Sequence, residues 1–191
     1  MKTVGLDLSM KSTGVCVKDH SSGKCQYYII ANKMTKKQQN FSHSDVFYVP
    51  YEWQKPDKED PFQIREQKKT SNVWNVTSAI RTILQSIKKK SRKDEIECVI
   101  EGISYGSSSS AALADLAGLN YAVRFMLTEE GIPFRLAAPT QLKKFAVGNG
   151  NADKEMMIAA WKKCQPEIAD IDGIKDDDIA DAYFLSVYED A

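Results

Sequence analysis

The chain opens on a short apolar run, Lys2-Thr3-Val4-Gly5-Leu6-Asp7, that ends on a carboxylate, and no other stretch constrains the fold as much. Such a run is a central strand, where an aspartate beside Val4 and Leu6 is costly to hold unless it is paired or bound to a metal. A turn aspartate capping the strand end would satisfy the same residues, because Leu8-Ser9 and Thr13-Gly14 also suit a hairpin into a second strand. Three later carboxylates bear on the choice. Glu101 closes another apolar run, Glu95-Ile96-Glu97-Cys98-Val99-Ile100-Glu101, and Asp178 and Asp181 share one face of a final helix with Ala182 and Leu185. Four buried like charges cannot stand bare together, since neighbours within about 4–6 Å push each other's pKa upward. They imply hard divalent cations with oxygen ligands. Two such ions, roughly 3.5–4 Å apart, activate a water and stabilise the leaving oxygen of a phosphodiester.

Residues Lys2–Asp7, Gly14–Lys18 and Cys25–Ala31 alternate or run apolar with turns between them, which predicts a three-stranded antiparallel meander. An insertion follows over about 33–70, rich in lysines and aromatics and interrupted by Pro50, Pro56 and Pro61, with room for one extra strand at Asp45–Val49. Its basic and aromatic mixture suits a nucleic-acid surface, and it equally suits a long loop pinned to the body. Helical spacing from Ser71 or Asn72 runs to Lys88-Lys89-Lys90, and the strand ending on Glu101 comes next. After a loop carrying Tyr105, a helix over Ala111–Glu130 is apolar or small almost all round, more than one buried face can use. It is either central or half of a dimer interface. A strand at Ile132–Ala137 completes a β-α-β alternation and implies parallel pairing.

A short helix from Pro139 to Phe145, a glycine turn at Val147–Asn151 and a helix over Ala152–Cys164 follow, with Lys143, Lys144 and Lys154 flanking the turn. Turn amides, a helix N-terminus and lysines together favour phosphate, although ordinary capping explains the same residues. The last helix is expected from Asp177 to Tyr188. The fold class is therefore α/β: a mixed five-stranded sheet, three antiparallel N-terminal strands and then parallel ones, flanked by helices.

At 191 residues, 42% hydrophobic and 27% charged, the chain is expected to form one domain over 1–191. No stretch approaches the roughly 20 apolar residues of a membrane span and none resembles a signal peptide, so a soluble, cytoplasmic protein is expected. Cys16, Cys25, Cys98 and Cys164 form no CxxC pair, which predicts neither zinc nor a disulfide. The formal charge is zero, but from Gln165 onward nine acids face one lysine, leaving −8 there and +8 on residues 1–164. A basic body can hold a polyanion, whereas an acidic cluster cannot unless divalent cations neutralise it.

Gly5-Leu6-Asp7 with Thr13-Gly14, the Val99-Ile100-Glu101 strand end, the run Lys143-Lys144-Phe145-Ala146-Val147-Gly148-Asn149-Gly150-Asn151-Ala152-Asp153-Lys154 and the closing Asp178-Ile179-Ala180-Asp181-Ala182 together resemble the RuvC-type Holliday junction resolvases. The resemblance covers the chain in order apart from the insertion. It implies a ribonuclease-H-like fold, a homodimer, and two magnesium ions per site, replaceable by manganese, on Asp7, Glu101, Asp178 and Asp181. It further implies DNA contacts at Ser12, Thr13, Tyr105, Lys143, Lys144 and Lys154, and resolution of four-way junctions by paired nicks. A broader branched-DNA or flap nuclease and a non-catalytic junction-binding protein are the alternatives. Leu8-Ser9 stands where cellular members carry Pro-Gly, and Tyr105 only loosely matches the family's aromatic after the glutamate, departures that point to a phage or viral branch. Sugar-kinase and actin-like ATPases share the Gly-x-Asp strand and a following Thr-Gly, but they need a second phosphate loop and a second similar domain, for which 191 residues leave no room.

Overall fold

The computed structural model describes residues 1–90, 95–103, 110–174 and 176–189. Strands β1 (Lys2–Asp7), β2 (Ser12–Asp19) and β3 (Cys25–Ala31) form the expected antiparallel meander, with Asp7 opposite Gly14 and Cys16 opposite Tyr27. The chain continues through α1 (Lys36–Gln39), β4 (Val46–Pro50), α2 (Phe62–Lys90), β5 (Ile96–Glu101), α3 (Ser110–Glu129) and β6 (Phe134–Ala137). Helices α4 (Pro139–Val147), α5 (Lys154–Cys164), α6 (Pro166–Ala169) and α7 (Asp176–Ser186) follow. The sheet order is β4-β3-β2-β1-β5-β6, with β5 parallel to both β1 and β6.

Among the described residues the sheet has six strands where five were expected, because Val46-Phe47-Tyr48-Val49 lies beside β3 and extends the edge. It runs parallel to β3, since the chain returns through α1 and not by a hairpin. The long helix also begins earlier than its sequence signal suggests. Asn72 has the composition of an N-cap, but its side chain donates to Gln54 O and accepts from Gln54 N–H, both at 2.9 Å, and so fastens the segment after β4 to the helix side. The helix itself starts behind Pro61, whose carbonyl accepts the Arg65 N–H at 3.1 Å.

Period-two alternation sends the strand residues into two cores. Val4, Leu6, Val15, Val17, Cys98 and Ile100 meet α2 and α3 through Val76, Ile80, Leu84, Leu119, Val123 and Leu127. On the other face Cys16, Tyr27, Ile29 and Val99 meet α5 and α7 through Trp161, Ile179, Ala182 and Leu185. Ile179 and Leu185 are fully buried, and side chains of that size contribute about 1.5–3 kcal/mol each when removed from water.

α7 lies on bare backbone. A Cβ at Gly5 would stand 2.0 Å from Ala182 O, and one at Gly14 would stand 1.6 Å from Asp178 O. Only glycine lets the helix come so close to β1 and β2.

Candidate active site

The sheet register brings the four carboxylates together. Leu6 stands beside Ile100 in the parallel β1–β5 pair, so Asp7 and Glu101 follow at adjacent strand ends. Both fall on the α7 face, Asp7 by alternation with Gly5 and Glu101 with Val99. Gly14, opposite Asp7, touches the backbone of Asp178, and Asp181 lies three residues further along the same helix. Asn120, almost fully buried on α3, donates to Glu101 O at 3.1 Å and fixes the end of β5.

All four acids keep part of their surface open. Burial is nevertheless the largest influence on those whose protonation is perturbed. It pushes the Asp7 carboxyl well above the usual aspartate range, and the charges of Glu101, Asp181 and Asp178 raise it further. Burial, then Asp181, pushes Glu101 up to about 7, against a smaller opposing pull from Lys143. Asp181 is raised by burial, while Lys154 and Lys143 draw it back. The Ser12 hydroxyl donates a short hydrogen bond to Asp178 Oδ2, an orienting contact.

Lys143 and Lys154 thus act electrostatically on the acids. Lys154 Nζ lies 2.6 Å from Asp177 Oδ2 on a largely exposed side chain. Lys144 is exposed, and its carbonyl accepts the Gly148 N–H that closes α4. Thr13 is fully buried, with its hydroxyl donating to Ser9 O at 2.7 Å and accepting Ser9 N–H at 3.1 Å, so it closes the hairpin after Asp7. Tyr105 lies outside the described residues. The glycine turn uses several of its amides internally: Gly148 N–H goes to Lys144 O, Asn151 N–H to Asn149 Oδ1 and Ala152 N–H to Asn149 O. Asp153 caps α5 by accepting Met156 N–H at 2.8 Å. With those amides committed, the cationic groups at the turn are its lysine side chains. Sequence reasoning missed Asp177 as the partner of Lys154 and Asn120 as the anchor of Glu101; a lone asparagine amid an apolar helical stripe was the available signal for the latter.

Among the described residues, no three histidine, cysteine, aspartate or glutamate side chains are gathered into a ready-made metal cage. The donor set is still what a hard divalent cation takes, oxygen only, and its members repel one another against the partial pull of Lys143 and Lys154. By that chemistry the four acids fit such an ion.

Residues 63–188 match the family model for crossover junction endodeoxyribonuclease RuvC. The whole chain is similar in fold to the Thermus thermophilus RuvC structure, at a TM-score of 0.58 and 16% identity, over 98% of this chain and 92% of that one. A structure of T. thermophilus RuvC in complex with Holliday junction substrate superposes at a TM-score of 0.52 and 15% identity, over 98% and 91% of the two chains. No curated protein matches the chain.

Proposed function

The chain belongs to the crossover junction endodeoxyribonuclease RuvC family, and from that premise we propose that it is a structure-specific endodeoxyribonuclease that resolves four-way DNA junctions by paired nicks. The observation that carries the reading is the assembly of Asp7, Glu101, Asp178 and Asp181 at one end and on one face of the sheet, in spite of their mutual repulsion. Carboxylates held above their ordinary range in an open site are a mark of function and not of packing.

The four acids would hold magnesium, with manganese able to replace it, and the ions would supply water activation and stabilisation of the leaving oxygen. The chain's own residues do the rest. Ser12 orients Asp178, and Asn120 holds the strand end that carries Glu101. Lys143 and Lys154 set positive charge beside the acids, where a phosphodiester must approach.

Paired nicks need two sites, which a two-fold homodimer supplies. Helices α2 and α3 lie side by side, tied by Lys69–Asp115 at 3.2 Å and Arg81–Glu129 at 2.5 Å. Between those ties, Trp74 on α2 is 67% exposed and Phe125 on α3 is 68% exposed, with Tyr121 beside it at 53%. Aromatic surface of this kind, rimmed by ion pairs, suits a second copy of the chain.

Labelled four-way, flap and linear duplex DNA, cut side by side with magnesium, test the activity. Preferential symmetric nicking of the four-way substrate is expected, and Asp7→Asn should abolish it. Equal cutting of flaps would move the assignment to a broader branched-DNA nuclease, and no cutting of any substrate would sink it.

A further inference from the structure

The segment between β3 and the end of β4 lies outside the stretch that matches the family model, and it grips the loop from which α7 starts. Tyr48 Oη donates to Gly173 O at 2.8 Å and accepts from Gln38 Nε2 at 3.2 Å. Gln38 is held in turn by a capping box at the start of α1. Its backbone N–H donates to Thr35 Oγ1 at 3.2 Å, and its Oε1 accepts the Thr35 backbone N–H at 2.9 Å. Phe41 packs edge-on against the Tyr48 ring at 5.4 Å, and both join Ile168 and Ile174 at the margin of the α7 core. Lys37 pairs with Asp172 and lays its aliphatic stem over Gly173.

Gly173 itself has φ +96°, a region open to glycine and strained for other residues. A helix entered through such a joint has a permissive approach. The trough formed by Gly5 and Gly14 fixes how near α7 lies to the sheet, and along it the helix is held by its buried side chains and by Lys162–Asp176 at 2.7 Å. Pinning Gly173 O, three residues before Asp176, adds a backbone restraint ahead of the turn that carries Asp178 and Asp181, where the other ties are side chain to side chain.

We propose that Tyr48 is a positioning residue for the nuclease site: its hydroxyl, set by α1 and β4, fixes the axial placement of α7 and with it the two helix-borne carboxylates. This rests on the nuclease reading above. Removing only the hydroxyl, as in Tyr48→Phe, should lower kcat by about tenfold to a hundredfold, the range for misplacing a group from a distance. KM and the affinity for four-way DNA in EDTA should stay unchanged, because phosphate contacts lie elsewhere. In the metal-free protein without DNA, amide hydrogen exchange in the first turns of α7 should quicken at least several-fold, while exchange in β1 and β5 stays as in wild type.

Unchanged exchange in α7 together with an unchanged kcat would overturn the proposal. So would exchange that quickens across the whole sheet, which marks general destabilisation, or a loss of DNA affinity matching the loss of kcat, which marks a DNA contact. Gly173→Ala, which strains the same joint from the other side, should reproduce the localised exchange. If the wild type cuts no DNA, the nuclease reading fails, and the exchange measurement still decides whether Tyr48 holds the helix.

Discussion

Asp7, Glu101 and Asp181 are all held above their ordinary carboxyl range, so each ionised group weakens the metal-free fold that carries it. Asp181→Asn should therefore stabilise that fold by about 0.5–2 kcal/mol, the usual gain from relieving a functional site. Nicking should fall by several orders of magnitude while junction binding in EDTA persists, and magnesium should raise the melting temperature of wild type more than that of the variant. Thermal melts in both conditions beside a nicking assay check this; a variant that melts lower in EDTA and still nicks would remove Asp181 from the site. Glu101 gives the pH dependence. Its folded value of about 7 exceeds the ordinary 4.5, so between those values the native state binds more protons than the unfolded one and stability falls as pH rises. The penalty is absent below the unfolded value and complete above the folded one. Melts in EDTA from about pH 5.5 to about pH 7.5 should show a decline that Glu101→Gln flattens.

Among the elements, α7 depends most on two missing side chains. Gly14→Ala would drive a methyl into Asp178 O, and the helix must lift or the strand must bend. Overpacking of that kind costs about 1–3 kcal/mol or more, which urea unfolding should show, together with loss of nicking even where the fold survives. Gly-x-Asp and Thr-Gly were visible as sequence marks, and so was the convergence of the four acids, because strand parity and helical spacing are written in residue order. The cause of the glycines was not visible, since it lies in a helix more than 160 residues away in sequence. The start of α2 was misjudged for a related reason: Asn72 has the side chain of a cap but commits it to Gln54. Likewise the strand at Val46–Pro50 could be seen as a strand, while its partner could not.

At the scale of the whole molecule, charge and apolar surface each lead to a measurement. Lys143→Ala and Lys154→Ala should weaken junction binding evenly across sequences, and the salt slope should fall by about one for each DNA phosphate left without its lysine. An unchanged slope for both would place the DNA elsewhere. Light scattering should find a dimer at micromolar concentration, and Phe125→Glu should yield monomers that bind a junction without paired cutting; a wild type that stays monomeric with and without DNA would refute the dimer. The candidate site draws on elements far apart in sequence, with Asp7 on β1 and Asp178 and Asp181 on α7. On the nuclease reading proposed above, a fragment that ends before α7 would carry only Asp7 and Glu101 of the four acids. Because α7 rests on the bare backbone of Gly5 and Gly14, cutting should require that helix to be seated on the sheet, and a polypeptide truncated before Asp176 should be inert towards DNA.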